Sequence, residues 1–243
     1  MDLKIKFRLY RFSVWCGIFV AIGAAVAFYG IGKLSPPAPT ASAEEIKQQL
    51  LDNRTGILWC VVIMGLVAPF FYFFAVITSV LMRRIEGGWG LLTMVQLTTA
   101  VIAPTGWIYP LAMIATAAYR PDRSADLMLM FSDLYWLTYV GVAFIFSINI
   151  ATIGFATLFD KNEVPTFPRW TGYANLVFAV VFAPGVFVYA FQSGPLAWNG
   201  FFAMALPSVA FIFWKIMMTY TLLRAVKLEE REAEEAELVP ATV

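Results

Sequence analysis

Apolar residues fill six long stretches of the chain, and the short segments between them carry most of the charged residues. An α-helix rises about 1.5 Å per residue, so about 20 apolar residues cross the hydrocarbon core of a bilayer. The pattern predicts an all-α, polytopic integral membrane bundle within residues 1–226. Its six transmembrane helices are expected at about 10–32, 57–82, 89–118, 128–158, 170–191 and 200–223.

The segments outside these stretches contain two further helical patterns. Ser42 followed by Glu45 fits a capping box, which predicts a short helix at about 43–52 on the outer surface. Residues 227–243 form an acidic tail, read as a helical continuation that stops at Pro240. The tail is either solvated or docks a partner. In the third stretch, Pro104, Gly106 and Pro110 predict a kink or a break.

Lysine and arginine are unevenly divided between the two sets of connecting segments. Cytoplasmic segments of membrane proteins carry the excess of these residues, so the richer set is expected inside, with both termini. The inner set holds Lys4, Lys6, Arg8, Arg11, Arg83, Arg84, Lys161, Arg169, Arg224, Lys227 and Arg231. The outer set holds only Lys33, Lys47, Arg54, Arg120 and Arg123.

Composition supports a membrane environment and excludes several function classes. The chain is 60% hydrophobic and 14% charged, whereas soluble domains average about half apolar and a quarter charged. The formal net charge of +1 gives no basic excess for a nucleic-acid partner. With no histidine, histidine-ligated haem or metal is excluded, and we expect no cofactor. Serine–histidine and cysteine–histidine catalysis are excluded for the same reason.

Lys215 is the residue that most suggests a site. It lies eight residues before Leu223, near the inner end of the sixth stretch, which corresponds to about 12 Å of helix rise. A lysine stem reaches about half that distance, so a lipid-facing ammonium would remain in hydrocarbon. Charges at this depth usually face a bundle interior or water. We therefore expect Lys215 to face other helices.

Polar residues on other stretches fall near the depth of Lys215. Gln96 and Asn149 lie at its level, Thr99 and Tyr72 are within about a turn, and Asn175 is about a turn nearer the cytoplasm. These six residues predict a ligand-binding polar chamber in the inner half of the bundle. In the alternative interpretation the amides and hydroxyls only join helices, and Lys215 reaches a water-filled crevice or a partner helix.

A second set of residues predicts an opening toward the outer side. Asp133, Trp107, Tyr109 and Arg120 lie near the outer ends of the third and fourth stretches. They are candidates for the mouth of a cavity. Asp133 has an alternative position in the membrane interface, beside the aromatic residues that follow it.

Three function classes remain. The favoured one is a multi-pass protein that binds or passes a hydrophobic or amphipathic small molecule, in particular an anionic, lipid-like one. The second is a non-catalytic subunit, assembly factor or scaffold of a larger membrane complex. An enzyme comes third, because no acid–base pair can be assembled at one depth. The expected partners are membrane lipids, the small molecule, and a membrane-protein partner or a second copy, and the expected location is a bacterial inner membrane.

Overall fold

Six helical segments are long and apolar enough to cross a membrane, which confirms the predicted multi-pass helical bundle. The computed structural model describes residues 2–102 and 104–238. The spans are numbered first to sixth in chain order: Leu3–Ile31, Arg54–Glu86, Leu91–Tyr119, Ala125–Phe159, Arg169–Tyr189 and Phe201–Leu238. The fold is therefore all-helical across the described ranges.

Most spans consist of two helical pieces, and a short extra helix lies between the first and second spans. The α-helices are α1 Leu3–Ala25, α2 Ala43–Asp52, α3 Arg54–Val67, α4 Phe71–Glu86, α5 Leu91–Ile102, α6 Thr105–Tyr119, α7 Ala125–Gly141, α8 Ala143–Phe159, α9 Arg169–Phe182 and α10 Leu206–Leu238.

The spans alternate in direction, so the bundle has two ends. We call the end that holds Leu3 and Leu238 the terminal face, and the end that holds the segments 32–53, 120–124 and 190–200 the loop face. Hydrogen bonds at each end join segments that are distant in sequence. Trp198 Nε1, for example, donates to the Pro37 carbonyl across the loop face at 2.9 Å.

Departures from α-helical geometry are concentrated in the middle and in the loop-face half of the bundle. Proline explains several of them, because it removes a helical donor and crowds the preceding turn. Pro69 and Pro184 lie in 3₁₀ segments, and α5 ends at Ile102 just before Pro104. The helical segments that are not α-helical are Val26–Ile31 (π), Ala68–Phe70 (3₁₀), Ala183–Tyr189 (3₁₀) and Phe201–Ala205 (π). The third span is thus divided into α5 and α6 near Pro104, as predicted, and α6 continues through Pro110.

The predicted capping box is confirmed at the start of α2. Ser42 and Glu45 exchange side-chain to backbone hydrogen bonds, and the Ser42 N–H donates to the Glu45 carboxylate at 2.7 Å. These bonds hold the pKa of Glu45 below its ordinary value. On the same face, Arg54 Nε donates to the Ala118 carbonyl at 2.8 Å and closes the end of α6.

The predicted helical continuation of the sixth span is present, and α10 runs as one helix to Leu238. Its acidic extension packs against basic residues of the terminal face. Glu230 pairs with Arg11, and Glu232 accepts two hydrogen bonds from Arg84, at 2.6 and 3.1 Å. These pairs hold the acidic extension of α10 against the terminal face. The predicted stop at Pro240 lies outside the described residues.

Two clusters of buried apolar side chains form the core. One includes Phe71, Phe74 and Trp214, and the other includes Cys60, Tyr135 and Trp136 in the loop-face half. Trp107 packs against both clusters. The junction of the two clusters coincides with the region where the spans depart from α-helical geometry.

Candidate functional site

Lys215 is fully buried, as its position in the sixth span predicts, but its surroundings are aromatic. Its Nζ lies 4.0 Å from the centroid of the Phe71 ring and 3.7 Å from that of Phe74. The rings of Phe211 and Trp214 are 5.4 and 5.0 Å away. Aromatic faces within about 6 Å attract an ammonium through their quadrupole. We call these four rings the aromatic cage.

The sequence explains how two rings of the cage are positioned. A Cβ atom at Gly17 would overlap the Phe74 ring, so the glycine lets this ring lie against the backbone of α1. Trp214 Nε1 donates to Asn175 Oδ1 at 2.9 Å, and Asn175 Nδ2 donates to the Thr171 carbonyl at 2.7 Å. Asn175 therefore orients a ring of the cage and does not contact the amine directly.

The predicted polar residues of the third and fourth spans form a separate cluster. Asn149 Nδ2 donates to the Gln96 carbonyl at 2.8 Å and to Thr99 Oγ1 at 3.0 Å. The Gln96 side-chain oxygen accepts a hydrogen bond from Ser79 on α4. Thr98 is exposed and bonds only within its own helix. We call Ser79, Gln96, Thr99 and Asn149 the polar cluster, and it joins α4, α5 and α8.

The six residues predicted to line one chamber are thus divided between two places. Gln96, Asn149 and Thr99 belong to the polar cluster, and Lys215 lies in the aromatic cage with Asn175 behind it. Tyr72 is partly exposed, and its neighbours Phe71 and Phe74 supply the rings next to the amine. The ligand-binding role of these residues stays a prediction.

A cavity of about 180 Å³ lies at the junction of the two core clusters. Side chains from all spans except the second line it, and most of these side chains are apolar or aromatic. Tyr29, Ile102 and Ile212 line it and are also exposed, so the cavity reaches the lipid-facing surface of the bundle. It is nearer the loop face than Lys215, because its lining on the sixth span runs from Ala203 to Ile212.

The cavity and the aromatic cage share a wall. Phe211 lines the cavity and is also a ring of the cage. Trp107 lines the cavity and packs edge-on against Phe71 and Phe211, at centroid distances of 5.4 and 5.9 Å. Thr99 of the polar cluster lines the cavity as well. One layer of rings therefore separates the cavity from the Lys215 amine.

The residues predicted to form an outer mouth do not converge. Trp107 lines the cavity, whereas Tyr109 is 68% exposed on the surface of the bundle. Arg120 is exposed on the loop face, where its carbonyl accepts a hydrogen bond from the Arg123 N–H. Asp133 is partly buried on α7 and does not line the cavity.

Sequence reasoning did not identify the cage or the link from Gln96 to α4. The aromatic run at 69–74 was a signal for Phe71 and Phe74, and Phe211 precedes Lys215 by four residues, which is one helical turn. No group of three or more acidic, cysteine or histidine residues that could hold a metal ion occurs among the described residues.

Comparisons with known proteins give no relative for this chain. No protein-family model matches it, and no curated protein or solved structure matches it either.

Proposed function

We propose that this multi-pass membrane protein binds, or passes across the bilayer, a hydrophobic or amphipathic small molecule. The single observation that carries the proposal is the apolar cavity at the junction of the two core clusters. Protein interiors are close-packed, and few of their voids are larger than one water molecule. An engineered apolar cavity of about 150 Å³ stays dry and binds benzene. A cavity of about 180 Å³ is therefore large enough for a ring or a short stretch of alkyl chain.

The position of the opening supports entry from the membrane. The exposed lining residues Tyr29, Ile102 and Ile212 belong to the first, third and sixth spans. A molecule dissolved in the bilayer can enter there without crossing water. Ligand pockets of this type are mainly apolar and hold a few polar groups that fix the orientation of the ligand. Thr99 and Ser208 supply hydroxyl groups on the cavity wall.

The proposal includes an orientation and a location. The terminal face carries eleven of the 17 Lys and Arg residues and the loop face carries five, so the terminal face is placed in the cytoplasm. Short loops and six closely spaced spans favour a bacterial inner membrane.

A titration with dodecanol, a neutral molecule with one apolar chain, tests the proposal. Binding to the folded protein raises its free energy of unfolding by RT ln(1 + L/Kd), where L is the free ligand concentration, so the unfolding temperature rises with ligand concentration. We expect dodecanol to stabilise the wild-type protein in nanodiscs. Ala25→Trp should abolish this effect, because Ala25 is exposed and lines the cavity, so an indole there fills the opening.

The matched control is Ala112→Trp, because Ala112 is also exposed within a span but does not line the cavity. This variant should respond to dodecanol as the wild type does. An equal response in both variants, or none in the wild type, would overturn the proposal. A co-purifying membrane protein without any dodecanol response would favour the scaffold alternative.

A further inference from the structure

Two buried polar atoms on one face of α10 have no hydrogen-bond partner among the described residues. They are Lys215 Nζ and Thr219 Oγ1, and their residues are four apart, so helix geometry places them one turn apart on the same side. The large majority of buried side-chain polar atoms have a hydrogen-bond partner. The Lys215 amine, which lies nearer the cavity along α10 than Thr219 does, is therefore suited to a polar ligand group.

The charges near Lys215 decide which ligand group fits. Asp160 is the only buried acidic residue of the described ranges, and its carboxylate accepts hydrogen bonds from the Thr166 and Asn162 N–H groups at the end of α8. The ion pairs among the described residues are Arg11–Glu230 and Arg84–Glu232, and neither includes Lys215. The Lys215 amine thus lacks an acidic partner, and an anionic oxygen is the group that best complements it.

The path from the cavity to the amine is short. Phe211 lines the cavity, and its ring centroid is 5.4 Å from Nζ. Rotation of this one side chain, which borders the void and therefore has room to move, would open the cage toward the cavity. Trp107 packs edge-on against Phe211 and also borders the void.

We propose that the ligand is a carboxylic acid with an apolar chain, whose carboxylate pairs with Lys215 while its chain occupies the cavity and leaves between the spans into the bilayer. This inference rests on the proposed function and adds the chemical class and the orientation of the ligand. A charge-assisted hydrogen bond is roughly twice as strong as a neutral one. The acid should therefore bind about tenfold more tightly than the alcohol of the same chain length.

Calorimetric titrations of laurate and dodecanol into the protein in nanodiscs test this class. The wild type should bind laurate about tenfold more tightly than dodecanol. Lys215→Met should remove this preference and retain dodecanol binding, because methionine keeps the apolar stem and lacks the charge. Lys227→Met is the matched control, since Lys227 is exposed on the same helix, and it should leave the preference unchanged.

Each outcome separates the two proposals. If neither molecule binds the wild type, the proposed function fails. If dodecanol binds but laurate binds no more tightly, or if Lys215→Met keeps the preference, the carboxylate assignment is overturned and the cavity proposal stands. A competition with phosphatidylglycerol tests whether the anionic group is instead a lipid phosphate. Displacement of laurate by this lipid in the wild type but not in Lys215→Met would assign the anionic group to a lipid headgroup and overturn the carboxylic acid.

Discussion

The Lys215 amine lies 3.7 Å from the centre of the Phe74 ring, and Gly17 allows this ring to lie against the first span. Lys215 of the sixth span thus contacts Phe74 of the second span, and Phe74 in turn packs against Gly17 of the first span. The contact gives the amine the negative face of a ring and no hydrogen-bond acceptor. A cation–π contact of this kind stabilises a desolvated cation by about 2 kcal/mol, which is less than the several kcal/mol that burial of a charge costs.

Removal of the amine should therefore stabilise the protein in the absence of ligand. We expect Lys215→Met to raise the free energy of unfolding by about 1–3 kcal/mol, because it removes an unpartnered buried polar group and preserves the volume of the stem. Chemical denaturation in mixed micelles measures the change. Lys227→Met should be neutral within about 0.5 kcal/mol. A loss of stability in Lys215→Met would contradict the account, since it would mean that the rings compensate fully for burial of the amine.

The polar cluster should act as a structural joint between spans. Asn149→Leu removes the hydrogen bonds to Gln96 and Thr99, and interhelical hydrogen bonds in membranes contribute about 0.6 kcal/mol each. We expect a loss of about 1–2 kcal/mol, because both hydrogen bonds are lost together. Thr98→Val, next to Thr99 but exposed, should have no measurable effect. Equal effects of the two substitutions on the unfolding curve would show that the cluster has no special role.

The acidic extension of α10 should depend on Arg84. This guanidinium donates to Glu232 and to the Val164 carbonyl at 2.8 Å, so it joins α10 to the segment between the fourth and fifth spans. In Arg84→Met, we expect at least tenfold faster hydrogen exchange of backbone amides between residues 230 and 238, because the helix end loses its anchor. Arg8 is exposed, and Arg8→Met should leave the exchange unchanged. Unchanged exchange in Arg84→Met would exclude this anchoring.

The proposed orientation predicts a labelling pattern. Glu44 on α2 and Lys227 on α10 are both exposed, whereas the native Cys16 and Cys60 are buried. A membrane-impermeant maleimide added to intact bacterial cells should label Glu44→Cys and leave Lys227→Cys unlabelled until the cells are opened. The reverse pattern would place the terminal face outside.

The sequence was sufficient for the spans because hydrophobic length directly reflects bilayer thickness. Depth matching also selected Gln96, Asn149 and Thr99, which the structure brings within hydrogen-bond distance. It did not separate these residues from Lys215, because depth gives the level of a residue along a span and not the side of the helix on which it lies. The helical continuation of the acidic tail was also readable from the sequence, but its pairs with Arg11 and Arg84 were not, because these residues are far away in sequence. The cavity depends on how distorted segments of five spans pack together, and no local pattern encodes that.

The most direct test of the account is photo-crosslinking with a diazirine-bearing fatty acid, followed by mass spectrometry of the labelled peptides. The account predicts labelling at cavity residues such as Thr99, Met204 and Phe211, and loss of this labelling in Ala25→Trp but not in Ala112→Trp. Labelling spread along the lipid-facing surface, with the same pattern in both variants, would contradict the central claim that the cavity binds an apolar chain.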